Sequence, residues 1–274
     1  MNNSMQHNQI IEELTSIWQQ LQQTQPLVHC ITNTVASNFV ANVLLAIGAS
    51  PAMIDNPLEA ENFARIAAAL SINTGTPNTE QTQAMFKAAQ GATLAQTPWI
   101  LDPVGYGTIL KWRSETVDQL LTYSPRIIRG NASEIAALAG YQTTGKGVDT
   151  TLSPENVLQH AATLIQQNNQ CIAISGTTDF ILSQRYGVIA IQGGSSLQPK
   201  VTAMGCALGA VCAAYHAVTD DSTLAAIAAH AQFAYAAQQA EQTSTALGRF
   251  QITFLDALSQ FRPEYFTEVQ FNQH

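Results

Sequence analysis

The stretch TPWILDPVGYGTILKWRSETVDQLLTYSPRIIRGNASEIAALAG, residues 97–140, contains two short apolar runs, each followed by a segment of helical period. The run TPWILDPV precedes SETVDQLLTY, and PRIIRG precedes NASEIAALAG. The same alternation occurs upstream, where PLVHCIT leads into ASNFVANVLLAIG. Alternation of this kind is typical of βαβ units, which build a parallel sheet with helices on both faces. The stretch therefore predicts an α/β fold.

The segment from 171 to 192 breaks this alternation. CIAISG, TDFILSQ and YGVIAIQ follow one another through short connections, which predicts antiparallel strands at one edge of the sheet. From Asp220 onward the chain is expected to be mostly Ala-rich helix. No linker or repeat separates parts of the sequence, so residues 1–274 are expected to form a single domain with a mostly parallel central sheet between two helical layers.

Composition excludes several classes of protein. The net charge is −8 and no basic cluster occurs, so the electrostatic footprint of a nucleic-acid-binding protein is missing. The four cysteines lack CxxC spacing, and the N-terminus lacks the pattern of a signal peptide, so we expect reduced thiols in a cytoplasmic protein. The uncharged stretch at 201–218 is rich in Ala and Gly and contains His216, which favours a buried helix over a membrane span.

Six predicted strand ends carry polar or Gly-containing segments. Ligands of open parallel sheets bind outside the carboxyl ends of the strands, so these segments predict one site. The segments are TN (32–33), NTGT (73–76), DPVG (102–105), RGNASE (129–134), SGTTD (175–179) and AMGC (203–206).

Each candidate residue at these ends has two interpretations. Cys206, in the first turn of a helix, is either an easily ionised thiol or a small packing group. Asp102 suits either a magnesium ion or a turn. Asn131 and Glu134 have the spacing of a capping box, although Glu134 could also serve a site. Arg129 suits either a phosphate group or a structural ion pair.

Several catalytic motifs are absent from the sequence. There is no Ser-His-Asp order, no His cluster of metal-binding spacing, no Walker A loop and no GxGxxG. Hydrolase, P-loop and dinucleotide-binding functions are therefore disfavoured, whereas sugar and vitamin kinases without a P-loop stay open. His29 and His216 are expected to be core histidines.

Seven segments, spread over nearly the whole chain, resemble the hydroxyethylthiazole kinase family of thiamine salvage. This resemblance implies a ribokinase-like α/β fold and a homotrimer with thiazole pockets between subunits. It also implies magnesium-dependent transfer of phosphate from ATP to 4-methyl-5-(2-hydroxyethyl)thiazole. The segments are VHCITN, NVLLAIGASPAM, ILDPVGYG, IIRGNASEI, KGVD, VTAMGCALGAVCA and FLDALSQF.

The resemblance also implies roles for single residues. Cys206 takes the place of the residue that faces the acceptor hydroxyl, where many related kinases use Asp. The remaining residues divide among three ligands: Met53, Asn33 and Ala203 for the thiazole, Arg129 and Ser175 for ATP, and Asp102 and Glu134 for Mg²⁺.

The chain departs from the family pattern in two places. The family usually has VTGTGC or VTGAGC, where this chain has Ala203 and Met204, and usually has Thr where this chain has Ser175. We expect a negative φ at Ala203, with Met204 turned outward and catalysis reduced but present. Two alternatives remain open at this point: a kinase of a related heterocyclic alcohol, such as a hydroxymethylpyrimidine, and a homologue that binds thiazole or nucleotide without turnover.

Overall fold

The computed structural model describes residues 3–141, 154–165 and 170–273, with side-chain surroundings given from His7 and, in the second range, from Val157. Within these ranges the chain forms ten α-helices and nine β-strands, which alternate from the first helix to the sixth. The strands are β1 (Leu27–Ile31), β2 (Ser50–Ala52), β3 (Ala69–Asn73), β4 (Trp99–Asp102), β5 (Ile127–Asn131), β6 (Cys171–Ser175), β7 (Thr178–Ser183), β8 (Gly187–Gln192) and β9 (Gln270–Gln273). The helices are α1 (Asn3–Thr24), α2 (Ser37–Ala46), α3 (Ala60–Ile66), α4 (Thr79–Ala95), α5 (Lys111–Leu121), α6 (Ala132–Leu138), α7 (Pro154–Ala162), α8 (Met204–His216), α9 (Ser222–Thr243) and α10 (Leu247–Ser259).

All nine strands join one sheet in the order β2-β1-β3-β4-β5-β6-β7-β8-β9. The first six strands of this order are parallel, and β7, β8 and β9 continue the sheet antiparallel. The predicted α/β class and the antiparallel edge are therefore confirmed. The expectation of helix for the tail missed β9, because its sequence QFNQ is short, polar and carries only one buried side chain.

Helices cover both faces of the sheet. On one face, α2, α8, α9 and α10 pack with apolar strand residues into the largest core cluster, which includes Val28, Ile100 and Cys171. On the other face, helices α3 to α7 cover strand residues such as Leu70 and Ile172. Strands buried on both faces read as continuous apolar runs, which is why the strand pattern was visible in the sequence.

Helix α8 carries the stretch that the sequence left uncharged, and it is buried along nearly its whole length. A helix that is apolar all round needs partners on every side, and α8 finds them in the sheet, α2 and α9. No helix within the described ranges is both long and apolar enough to cross a bilayer.

The KGVD segment (146–149) of the family resemblance lies outside the described residues.

Candidate active site

The carboxyl ends of the parallel strands bring the predicted segments to one edge of the sheet. Asn73 on β3 lies directly opposite Asp102 on β4, and Asn131 on β5 lies opposite Ser175 on β6. Asn33 follows β1, two residues after its end. Strand register alone therefore lines up polar groups across four neighbouring strands.

A cavity of about 700 Å³ opens at this edge of the sheet. One wall is the turn between β6 and β7, and another is the loop after β8 together with the start of α8. Helix α9 contributes a third wall through Phe233, Ala234 and Glu241. Arg129, Glu134, Ser175, Ala203 and Cys206 all line the cavity.

The turn that enters α8 differs from the sequence-based expectation. Ala203 caps the helix with φ of 74°, in the left-handed region, so the expected negative φ is wrong. An L-residue in this region carries about 1–2 kcal/mol of strain, which Gly avoids. Met204 is 4% exposed and packs into the main core, so the expected outward side chain is also wrong.

This turn aims the start of α8 at the cavity. The first N–H groups of an α-helix have no intrahelical partner, and the helix dipole adds partial positive charge there. Residues 202–206 line the cavity, so those N–H groups lie beside it. Gly205 contributes by its small size, because a Cβ there would lie 3.2 Å from Nη1 of Arg129. The arrangement suits an anion.

Four side chains form a continuous hydrogen-bonded chain that reaches the cavity at Cys206. Asn73 donates from Nδ2 to Oδ2 of Asp102 (2.7 Å), and Asn33 donates from Nδ2 to Oδ1 of Asn73 (2.9 Å). The same Nδ2 of Asn33 also donates to Sγ of Cys206 at 3.2 Å. The backbone N–H of Gly75, which can only donate, reaches Oδ1 of Asn73 and thereby fixes which way that amide faces.

The polarity of this chain has a consequence for the thiol. Because Asn73 must present its oxygen to Gly75, Asn33 must present its nitrogen to both Asn73 and Cys206. Sγ of Cys206 is thus a hydrogen-bond acceptor toward Asn33, and its own proton is free to point elsewhere. The predicted residues Asn33, Asp102 and Cys206 are connected through Asn73, which belongs to the predicted segment NTGT but was given no role of its own.

Arg129 lies between Asp102 and the turn after β6. Its Nη1 is 3.5 Å from Oδ2 of Asp102, and its Nη2 donates to the hydroxyl of Ser175. Nε has no hydrogen-bond partner among the described residues. A buried guanidinium that lines a cavity and keeps an unused donor is suited to binding an anion.

Glu134 has the capping role that its spacing predicted. Asn131 caps α6 by accepting from the N–H of Glu134, and Glu134 accepts in return from the N–H of Asn131. Its second oxygen accepts from the N–H of Gly105 at 3.0 Å, which ties the DPVG loop to α6. Each carboxylate oxygen accepts one of these hydrogen bonds and keeps a further lone pair, and Glu134 lines the cavity.

Burial controls the protonation of the two central groups. Desolvation raises the pKa of Asp102 to about 7, against the opposing effect of Arg129, and the charge of Glu134 raises it further. Desolvation also raises the pKa of the Cys206 thiol, helped by the charge of Asp102, although the hydrogen bond from Asn33 opposes this. Cys206 is therefore a neutral thiol at physiological pH.

The two acidic residues offer oxygen donors of the kind that Mg²⁺ prefers. Glu134 faces the cavity, and Oδ1 of Asp102 is buried without a hydrogen-bond partner among the described residues. No group of three or more His, Cys, Asp or Glu suited to a metal occurs in those ranges. Mg²⁺ commonly binds through one or two carboxylates together with substrate phosphates. Glu134 offers such a donor at the cavity, and Asp102 offers its unpartnered Oδ1 although it is 1% exposed and does not itself line the cavity.

Met53 and the two histidines lie apart from this arrangement. Met53 follows β2, the edge strand, and packs on the main core without lining the cavity. His216 is buried with both ring nitrogens bonded, to the carbonyl of Thr219 and the hydroxyl of Ser222, and is a core histidine as expected. His29 is also buried and bonds to the carbonyl of Ile54.

Sequence reasoning missed two parts of the cavity. The loop 193–196, with sequence GGSS, lines it directly after β8, and the Gly pair following a strand was a usable signal. The wall from α9 had no such signal, because its residues are part of a long, Ala-rich helix that is buried along most of its length. The loop and α9 complete the cavity that the strand ends begin.

Comparisons with known proteins agree with this geometry. The model of the "Hydroxyethylthiazole kinase family" matches residues 18–264. A hydroxyethylthiazole kinase from Acinetobacter baumannii is 56% identical over 248 residues, covering 90% of each chain. The structure of a hydroxyethylthiazole kinase protein from Pyrococcus horikoshii superposes with a TM-score of 0.84 at 30% identity, covering 95% of this chain and 98% of the other.

A more distant neighbour defines the fold class. The pyridoxal kinase of Staphylococcus aureus superposes with a TM-score of 0.58 at 14% identity, covering 78% of this chain and 87% of the other. This similarity concerns the fold alone, which is ribokinase-like. The family match and the high identity go further: the chain belongs to the hydroxyethylthiazole kinase family.

Proposed function

We propose that this protein transfers the γ-phosphoryl group of ATP to the hydroxyl of 4-methyl-5-(2-hydroxyethyl)thiazole. Family membership supports the reaction class and the substrate. The observation that carries the proposal is the meeting of Arg129, the start of α8 and Cys206 at one cavity. An anion-binding helix terminus and a hydroxyl-orienting group are the two parts that such a transfer needs side by side.

Charge stabilisation is the first task of the site. Phosphoryl transfer passes through a loose transition state, so catalysis depends on positioning and on stabilising charge on the phosphoryl oxygens. Arg129 and the N–H groups of residues 204–206 supply positive charge from fixed positions, and Ser175 holds Arg129 in place. Asp102 and Glu134 would hold Mg²⁺, which when bound neutralises phosphate charge.

Orientation of the acceptor is the second task, and we assign it to Cys206. The hydrogen bond from Asn33 occupies Sγ as an acceptor, so the thiol proton can be donated to the acceptor oxygen. A neutral thiol suffices because the loose transition state needs little removal of the alcohol proton before transfer. The proton is then released late, to an oxygen of the transferred phosphoryl group and from there to solvent, so Cys206 need not act as the base. Asn33 and Met53 would contact the thiazole, with Ala203 at the entrance of α8.

A homotrimer with thiazole pockets between subunits is part of the proposal. Met53 follows β2, whose residues are all partly exposed at the edge of the sheet, and Leu58 nearby is 84% exposed. Val35, two residues after Asn33, is also exposed. Apolar side chains in solvent beside site residues favour coverage by a second subunit.

We also propose a cytoplasmic location, supported by four cysteines that are all free.

A coupled assay of ADP release over a panel of heterocyclic alcohols tests this proposal. We expect magnesium-dependent turnover with hydroxyethylthiazole and little with hydroxymethylpyrimidine. If the protein turns over only another alcohol of the panel, that alcohol's class is the substrate class instead. Nucleotide binding without any turnover would instead favour a binding homologue, for which the strained turn at Ala203 is the supporting observation.

A further inference from the structure

A buried histidine contacts the wall of the nucleotide cavity without entering it. His230 lies on α9 with 0% of its side chain exposed, and its Nδ1 is 2.6 Å from Oδ2 of Asp179. Asp179 lies on β7, lines the cavity and is 19% exposed. His230 does not line the cavity, so any effect it has on a ligand must pass through Asp179.

Asp179 uses its two oxygens for different partners. Oδ1 accepts from the backbone N–H of Gly176 at 2.9 Å, inside the turn that joins β6 to β7. Oδ2 is held by His230 from the neighbouring helix. Ser175, the partner of Arg129, is the last residue of β6 and leads directly into this turn, and residues 175–177 line the cavity. The aspartate therefore connects α9 to the turn that presents Ser175.

The hydrogen bonding of His230 argues against a purely structural role. The carboxylate of Asp179 can only accept when ionised, so Nδ1 carries the proton, and Nε2 has no partner among the described residues. A buried polar atom without a partner is costly, and an apolar side chain would fill the same place more cheaply. A Leu or Phe at this position could not donate a hydrogen bond to Asp179.

We propose that His230 is a positioning residue for nucleotide binding, acting through Asp179 on the turn at residues 175–177. The hydrogen bond from His230 fixes Asp179, and Asp179 fixes the turn and with it Ser175 and Arg129. This inference rests on the proposed function, in which ATP occupies this cavity.

Two substitutions at His230 separate positioning from packing. His230→Asn keeps an N–H donor near the place of Nδ1, whereas His230→Leu removes the donor but fills the volume with apolar atoms. We expect His230→Leu to raise the Kd for ATP about tenfold and His230→Asn to restore most of the affinity. The KM for the alcohol should change little, because neither Asn33 nor Cys206 contacts this pair. In contrast, kcat at saturating ATP should fall together with ATP affinity in His230→Leu and recover in His230→Asn, because Arg129 also stabilises charge on the transferring group.

His216→Leu provides the matched control. His216 is a buried histidine of α8, and its ring bonds within the α8–α9 connection rather than to a cavity wall. Its replacement should lower the melting temperature and leave the Kd for ATP unchanged. Asp179→Asn is a second variant at the proposed contact, for use if His230→Leu fails to fold, and it should also weaken ATP binding.

Isothermal titration of the purified protein with ATP measures these affinities without requiring turnover. Equal ATP affinity in wild type, His230→Leu and Asp179→Asn would overturn the positioning role while leaving the proposed kinase function intact. An equal loss of affinity in His230→Asn and His230→Leu would also overturn it, since packing alone would then explain the effect. A wild-type protein that binds no ATP would remove the proposed function and this inference together.

Discussion

Ala203→Gly is the most informative single change, because Ala203 holds a left-handed conformation at the start of α8. Ala in this region carries about 1–2 kcal/mol of strain, which Gly removes. Gly also makes the unfolded chain more flexible, which costs about 0.4–1 kcal/mol of stability. The net expectation is a stabilisation of about 0.8 kcal/mol, which for a chain of this size raises the melting temperature by about 2–3 °C.

A control at the other end of the same helix makes the test sharp. Ala217 has φ of −62°, so Ala217→Gly relieves no strain and should lower the free energy of unfolding by about 0.5–1 kcal/mol. Thermal and urea unfolding of both variants supply the comparison. Turnover of Ala203→Gly should match the wild type, because the backbone already follows the path that Gly would take. If both variants lose stability equally, the left-handed turn and the strain argument are wrong.

Three further predictions concern the chemistry. Glu134→Gln should lower turnover at least about tenfold and raise the Mg²⁺ concentration needed for half-maximal rate. If the dependence of the rate on Mg²⁺ is unchanged, Glu134 serves only to cap α6. Cys206→Ala should lower kcat about a hundredfold and Cys206→Ser less, because Ser keeps a hydrogen-bonding group. Wild-type rates in both variants would show that the thiol is only a packing group. The pKa of Asp102 is raised to about 7, so its ionised form, which the site needs, is lost as the pH falls through that value. The value of kcat/KM should therefore decline as the pH falls below about 7. In Asp102→Asn the residual activity should no longer show this acidic decline. A wild-type decline near pH 4 instead would contradict the claim that burial raises the pKa of Asp102.

The sequence predicted the parts of the site that depend on local spacing. Asn131 and Glu134, three residues apart, form the capping box that their spacing indicated. Asp102, Arg129 and Ser175 lie at or beside strand ends, so the parallel sheet brings them together as expected. These predictions succeeded because strand direction and helix capping are set by short stretches of chain.

The features that the sequence did not reveal depend on contacts between distant segments. The left-handed φ of Ala203 follows from how the turn must enter α8 above the sheet, and Ala as a residue type gives no sign of it. Asn73 acquires its place between Asp102 and Asn33 only when β1, β3 and β4 are adjacent. His230 is 51 residues from Asp179 and lies within an apolar helix, where periodicity indicates only burial.

The central claim, phosphoryl transfer from ATP to hydroxyethylthiazole, is tested most directly by analysis of the reaction product. Purified protein, ATP, Mg²⁺ and the thiazole alcohol are incubated together, and the organic products are examined by mass spectrometry and phosphorus NMR. The account predicts a monophosphate ester on the side-chain hydroxyl, formed in equal amount with ADP and lost when magnesium is chelated. Release of ADP with the alcohol recovered unchanged would contradict it.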